Sequence, residues 1–185
     1  MMRLFIGIPV PEEYMRIFGE VQAVWKGRLA STVTWVRPEL AHLTLRFLGD
    51  VDEASVADIV RAMRTAARGT FEMRGGSGGF FPPRGAPRVV WLGFDRGAAK
   101  CGAYFAALDE ALVGAGFAAE TRPFSPHVTV ARVKEAVRGD DWPGLASDLT
   151  RDWPVFGVDT AVLWQSVLRP SGPEYRRVGG VDLSG

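Results

Sequence analysis

Two short apolar runs constrain this chain more than anything else in it. They are Ala41-His42-Leu43-Thr44-Leu45-Arg46-Phe47-Leu48-Gly49 and Pro126-His127-Val128-Thr129-Val130-Ala131-Arg132. Together they hold the only two histidines in 185 residues, and each histidine is followed two positions later by a threonine. In a strand, side chains at i and i+2 point the same way. Each run therefore presents an imidazole beside a hydroxyl on one face and aliphatic side chains on the other. A fold that satisfies both must bury two apolar faces and hold the two polar pairs in one two-sided site.

The remaining chain fits one α+β unit spanning residues 1–185. Arg3 to Val10 reads as a buried strand ended by Pro9 and Pro11, and a helix follows in which Tyr14, Ile17, Phe18, Val21, Val24 and Trp25 form the apolar stripe. The first histidine strand is expected to stop at Gly49-Asp50. A second helix begins near Asp52 and Ser55, with Val56, Ile59, Val60 and Met63 inward. Phe71 to Arg74 is a short strand, and the glycine-rich run from Gly75 to Pro87 reads as a long irregular turn. It lacks the Gly-Lys-Ser or Gly-Lys-Thr ending of a nucleotide loop. Arg88 to Phe94 is a strand and Ala98 to Leu112 a helix; Trp142 to Leu145 opens a short one. Two further strands flank a turn at Pro170-Ser171-Gly172-Pro173, and Gly179 to Gly185 is expected to fray. Strands and helices alternate in each half, and each half supplies one histidine strand. That predicts a bilobal fold with pseudo-twofold duplication: two antiparallel sheets flanked by helices, the interleaved lobes facing across a central cleft.

Composition narrows the function. The net charge of +1 excludes a polybasic nucleic-acid binder but leaves room for local clusters among 22 basic residues, most of them arginine. The lone Cys101 forms no intramolecular disulfide and points to a reducing, cytoplasmic setting. The apolar start is too short for a membrane span and reads as a first strand, with no membrane association. No heptad calls for an obligate protein partner, so a monomer is expected.

Two histidines on opposite sides of a substrate can divide the roles of general base and general acid. That arrangement suits in-line displacement at phosphorus, with Thr44 and Thr129 donating to nonbridging oxygens and arginine opposing the developing charge. Arg46 has the strand parity of His42 and Thr44, which makes it a candidate phosphate ligand, although an ion pair bracing the strand is the other reading. Arg132 has the wrong parity for His127 and Thr129 and reaches the site only if its strand ends, twists or bulges. No residues show metal-ligand spacing, and no Gly-x-Ser-x-Gly elbow is present. Neither a metal nor a cofactor is expected.

These motifs, with Arg3-Leu4-Phe5-Ile6-Gly7-Ile8, Trp35-Val36-Arg37-Pro38-Glu39, Phe81-Pro82, Pro87-Arg88-Val89-Val90-Trp91 and Gly172-Pro173-Glu174-Tyr175, resemble the bacterial RNA 2',3'-cyclic phosphodiesterase (2'-5' RNA ligase) family of the two-histidine phosphoesterases. The resemblance covers nearly the whole chain and implies a bilobal enzyme independent of metal. Such an enzyme opens 2',3'-cyclic phosphate ends of RNA oligonucleotides to 2'-phosphates, and some members join RNA ends reversibly through 2'-5' linkages without ATP. Carried over, it makes His42 the proton donor, His127 the proton acceptor, and Thr44, Thr129 and Arg132 the phosphate ligands. Two other readings stay open: a two-histidine phosphodiesterase for a small cyclic-phosphate nucleotide, and a noncatalytic module that binds RNA ends or nucleotide phosphates. Phe5, Trp35, Phe47 and Phe124 are the aromatics close enough to the motifs for a base to stack on.

Overall fold

The computed structural model describes residues 1–170 and 172–184; Ser171 of the expected turn and Gly185 of the expected frayed tail lie outside them. The strands are β1 (Met2–Pro9), β2 (Thr32–Trp35), β3 (His42–Val51), β4 (Phe71–Phe81), β5 (Val89–Arg96), β6 (His127–Glu135), β7 (Val155–Val158), β8 (Thr160–Arg169) and β9 (Gly172–Asp182). The helices are α1 (Glu12–Trp25), α2 (Val56–Ala66), α3 (Ala98–Gly114) and α4 (Trp142–Leu149), with single 3-10 turns at Pro38–Leu40 and Glu53–Ser55.

All strand pairings are antiparallel, and the order across the sheet is β7-β4-β5-β6-β3-β1-β8-β9, with β2 on the free part of β6. The two expected sheets are joined by a narrow seam, because β3 and β6 share only the pair Leu43↔Val128. One half is β3-β1-β8-β9 and the other is β7-β4-β5-β6-β2. The chain crosses between halves repeatedly, since β8 and β9 return to pair beside β1.

Burial follows the sequence pattern on both sides of the seam. Leu43, Leu45, Val128 and Val130 are buried while His42, Thr44, His127 and Thr129 are partly open. Tyr14, Ile17, Phe18, Val21 and Trp25 on α1 and Ile59, Ala62, Met63 and Ala66 on α2 join the same core. Val24 instead points to solvent at 43 % exposure, and Gln22 takes the buried place, its Nε2 donating to the Val36 carbonyl at 2.7 Å. Helix α4 is tied to α1 by Trp25 Nε1, which donates to Asp148 at 2.7 Å.

Three expectations about elements are corrected. The glycine run is not a turn: β4 continues through it to Phe81, and only the segment from Pro82 to Arg88 is irregular. Its glycines are there for closeness, because a methyl group at Gly78 would lie 2.6 Å from the Ala146 carbonyl oxygen of α4, and one at Gly79 would strike the Trp91 ring. The first histidine strand passes Gly49-Asp50 and ends at Val51; Gly49 adopts φ +74 within it rather than stopping it. The described part of the tail does not fray, since β9 runs to Asp182, Leu183 is fully buried and its N–H donates to Asp159 at 2.7 Å.

Candidate active site

Antiparallel register at the seam builds the centre of the site. With Leu43 opposite Val128, Thr129 stands opposite His42 and His127 opposite Thr44. In such a ladder the two histidines are diagonal neighbours, roughly 7–8 Å apart at the backbone. An object the size of a phosphate fits between the imidazoles, with a hydroxyl on either side.

Each imidazole is held in the same way. His42 and His127 are the first residues of their strands, where the carbonyl two residues back lies outside the ladder. His42 Nδ1 lies 2.7 Å from the Leu40 carbonyl oxygen, and His127 Nδ1 lies 2.8 Å from that of Ser125. A carbonyl only accepts, so Nδ1 carries the proton in both rings. That leaves both Nε2 atoms to exchange protons with a substrate.

Two bulges then sort the arginines. Along β3 the register passes from Gly7↔Thr44 to Ile6↔Arg46, so Leu45 is extra and the parity beyond it inverts. Phe47 consequently lines the cleft with His42 and Thr44. Arg46 turns the other way, where its Nε donates to Asp109 at 2.9 Å, its Nη1 approaches Glu120 at 3.4 Å, and its Nη2 donates to the Ala118 carbonyl. The bracing reading of Arg46 describes this position, and the phosphate-ligand reading does not. Along β6 the register passes from Trp91↔Thr129 to Val90↔Ala131, which makes Val130 extra. Arg132 is thereby moved onto the face of His127 and Thr129, where it lines the cleft without an ion pair among the described residues.

The surroundings favour neutral imidazoles. Burial lowers the pKa of both His42 and His127 from 6.5, the carbonyl bonds oppose that shift, and the Arg132 guanidinium lowers both further. His42 sits among Phe5, Trp164 and Tyr175, with ring centroids 4.8, 5.5 and 5.3 Å away. His127 has Phe81 edge-on at 5.2 Å.

The cleft is lopsided. A cavity of about 660 Å³ is lined by His42, Thr44, Thr129 and Arg132 and extends over β1, β8 and β9, but reaches no residue of β4 or β5. His127 is not among its lining residues. The sequence reading missed Tyr175, whose ring meets His42 at 85°, and also Arg37 and Trp164. Arg37 and Tyr175 lie in segments that carry the family resemblance, but their elements are remote from the histidine strands and nothing local assigns them to the site, nor Trp164. Of the four candidate aromatics, Trp35, Phe47 and Phe5 line the cavity, although Phe5 is otherwise core; Phe124 instead stacks on Phe105 at 4.1 Å. Among the described residues no three His, Cys, Asp or Glu side chains converge to hold a metal ion, and no helix is long and apolar enough to cross a membrane.

Comparison with known proteins agrees with this geometry. The family described as LigT like Phosphoesterase matches residues 8–91 and 95–175. The RNA 2',3'-cyclic phosphodiesterase of Thermotoga maritima is 35% identical over 95% of this chain and 92% of its own. The protein of the same name from Thermus thermophilus is 34% identical over 100% and 91%. A crystal structure of a Thermus thermophilus protein superposes with a TM-score of 0.76 at 29% identity, covering 100% of this chain and 99% of that one. Escherichia coli LigT, crystallised with 3'-AMP, shares the fold with a TM-score of 0.79 at 22% identity over 100% and 99% of the two chains. The expected bilobal two-histidine phosphoesterase fold is the fold found.

Proposed function

Because the chain belongs to the LigT-like phosphoesterase family, we propose a reaction in which His42 and His127 work as a proton-exchanging pair on the 2',3'-cyclic phosphate end of an RNA. The protein is an enzyme that hydrolyses such ends. The observation that carries the assignment to these residues is the matched pair of imidazoles on neighbouring strands, each anchored through Nδ1 to a carbonyl so that Nε2 is left for the substrate.

In this reaction His127 Nε2 takes a proton from water as the water oxygen attacks phosphorus. The P–O3' bond breaks, protonated His42 Nε2 gives its proton to O3', and the phosphate remains on O2'. Thr44 and Thr129 donate to the nonbridging oxygens, and Arg132 opposes the charge that builds on them. The lopsided cleft supports this division of roles. In-line attack places water opposite the departing O3', so ribose and base lie on the acid's side of the phosphorus. The cavity large enough for a nucleoside opens beside His42, whereas His127 is not among the residues that line it. Burial disfavours imidazolium at His42 in the empty site, and a phosphodiester anion beside it restores that form. If the 5'-hydroxyl of a second RNA replaces water, the same steps give a 2'-5' linkage, the ring strain of the cyclic phosphate taking the place of ATP. Residues 1–185 then act as one catalytic unit, a monomer whose two sheet halves each supply one histidine and one threonine.

A short RNA bearing a 2',3'-cyclic phosphate, incubated in EDTA with wild type, His42→Ala and His127→Ala, tests the reading. Wild type should yield the 2'-phosphate, and each substitution should cost about 10²–10⁴ in rate. A substrate with sulfur at the 3' bridging position needs no acid, so it should restore His42→Ala and not His127→Ala; the reverse exchanges the two roles. RNA binding without turnover would instead favour the noncatalytic module, and turnover confined to small cyclic nucleotides the other phosphodiesterase.

A further inference from the structure

The cavity extends well past the reacting phosphate, and its far end carries a cation that the chemistry above does not use. Moving along β3 from His42, the cleft face shows Thr44 and Phe47, and beyond a second bulge at Leu48 the ladder sets Arg3 of β1 opposite Asp50. Arg3 lies two residues from Phe5, roughly 7 Å along the strand, and Phe5 packs on the His42 ring at 4.8 Å. Three arginines line the cavity: Arg3, Arg37 and Arg132. Arg37 is engaged, donating to the Pro173 carbonyl at 2.8 Å and lying 3.7 Å from Glu39. Arg132 stands at the reacting end. Arg3 makes no side-chain hydrogen bond or ion pair among the described residues, Asp50 included. The lining around Arg3 is apolar and open, with Phe47 55% and Leu168 73% exposed.

This spacing fits a chain, not a single nucleotide. A mononucleotide has one anionic group, and Arg132 with the threonines meets it. Nothing in that reaction calls for a second unpaired guanidinium beyond an exposed aromatic and aliphatic floor. A single-stranded polynucleotide has both features in series, bases that stack on apolar rings and a phosphate on each further residue. We infer that the RNA strand leaves the reacting end across β1, β3 and β8 on the His42 half, and that Arg3 binds the phosphodiester on the 5' side of the terminal nucleotide. The inference rests on the proposed RNA-end activity and makes Arg3 a residue that favours oligonucleotide over mononucleotide substrates. The β4–β5 half, where Arg84 stands exposed in the irregular segment, carries none of the strand.

The test compares kcat/KM for a trinucleotide ending in 2',3'-cyclic phosphate with that for the corresponding nucleoside 2',3'-cyclic phosphate. The readout is the ratio of the two in wild type, Arg3→Ala, Arg3→Lys and Arg84→Ala. Arg3→Ala should lower the ratio about threefold to tenfold through KM for the trinucleotide. It should also reduce the slope of log kcat/KM against log salt by about 0.7 for that substrate. Arg3→Lys should recover part of the ratio, and Arg84→Ala should leave it as in wild type. An unchanged ratio in Arg3→Ala overturns the inference, as does a ratio that falls with Arg84→Ala instead. If wild type turns over neither substrate, the proposed activity itself has failed and the subsite falls with it.

Discussion

Replacing Arg46 separates bracing from phosphate binding more cleanly than any other substitution. Its side chain is 10% exposed, and those of its partners Asp109 and Glu120 are 18% and 17% exposed. It also donates to the Ala118 and Phe47 carbonyls. Glu120 is held by Arg122 as well, which with Arg46 keeps its pKa low at about 2, so only Asp109 loses its sole arginine. Breaking a fully buried pair costs about 3–5 kcal/mol, and partial exposure with a second partner for Glu120 reduces this to about 2–3 kcal/mol. For a chain of this length that lowers Tm by roughly 5–10 °C. Arg46→Met keeps the aliphatic volume and isolates the charge. Urea unfolding of Arg46→Met, Asp109→Asn and the double variant should give a coupling energy above about 1 kcal/mol. At a temperature where it is folded, Arg46→Met should keep kcat/KM within about threefold of wild type. A loss below about 0.5 kcal/mol together with a KM raised more than about tenfold would refute the bracing argument and return Arg46 to the substrate.

Arg132 should set the pH profile as well as the rate. Both histidines titrate below 6.5 in the free enzyme, so the bell in kcat/KM should centre on the acid side of 6.5, and Arg132→Gln should move both limbs upward while lowering the maximum; limbs that stay in place would remove Arg132 from the electrostatics of the pair. The same depression bears on stability. Between the folded-state values and 6.5 the unfolded chain binds more protons, so stability rises with pH in that window and is lost as pH falls through it, a loss that His42→Asn should lessen in urea titrations at several pH values. Tyr14 joins α1 to the sheet, its hydroxyl donating to the Pro154 carbonyl at 2.7 Å and accepting from the Gly75 N–H at 2.8 Å. Tyr14→Phe leaves both groups without that partner and should cost about 2 kcal/mol in chemical denaturation; a cost under about 0.5 kcal/mol would mean that water replaces the hydroxyl. Gly78→Ala would place a methyl group 2.6 Å from the Leu149 Cβ and should cost about 1–3 kcal/mol by forcing α4 off the sheet, which an unchanged melting curve would contradict.

Much of this molecule is legible in its sequence because the relevant physics is local. Alternation over His42 to Leu45 and over His127 to Val130 marks which face is apolar and which carries imidazole and hydroxyl. The stripe on α1 names every buried apolar position of that helix and adds one that is exposed. The exception, Val24, lies at the margin of the stripe, where the difference between buried and exposed depends on what packs nearby. The glycine run was opaque for a different reason: side-chain alternation is the signal for a strand, and glycine has no side chain to alternate. Its role is visible only once Trp91, Trp153 and α4 press against it.

The arginines mark the boundary between the two kinds of information. Parity along a strand holds until a bulge interrupts it, and a bulge is settled by the ladder with a partner remote in the chain. Sequence alone therefore determined that two His-Thr pairs exist, that each sits on the open face of a strand, and that Arg132 could reach its pair only through an irregularity. Tertiary structure decided that β1 places a bulge at Leu45, sending Arg46 to Asp109, and that β5 places one at Val130, bringing Arg132 in. It also decided which half of the sheet holds the cavity, because Trp164 and Tyr175 converge on His42 only when β8 and β9 return to β1. Pairing between distant segments is a property of the whole packed chain, and no stretch of residues carries it alone.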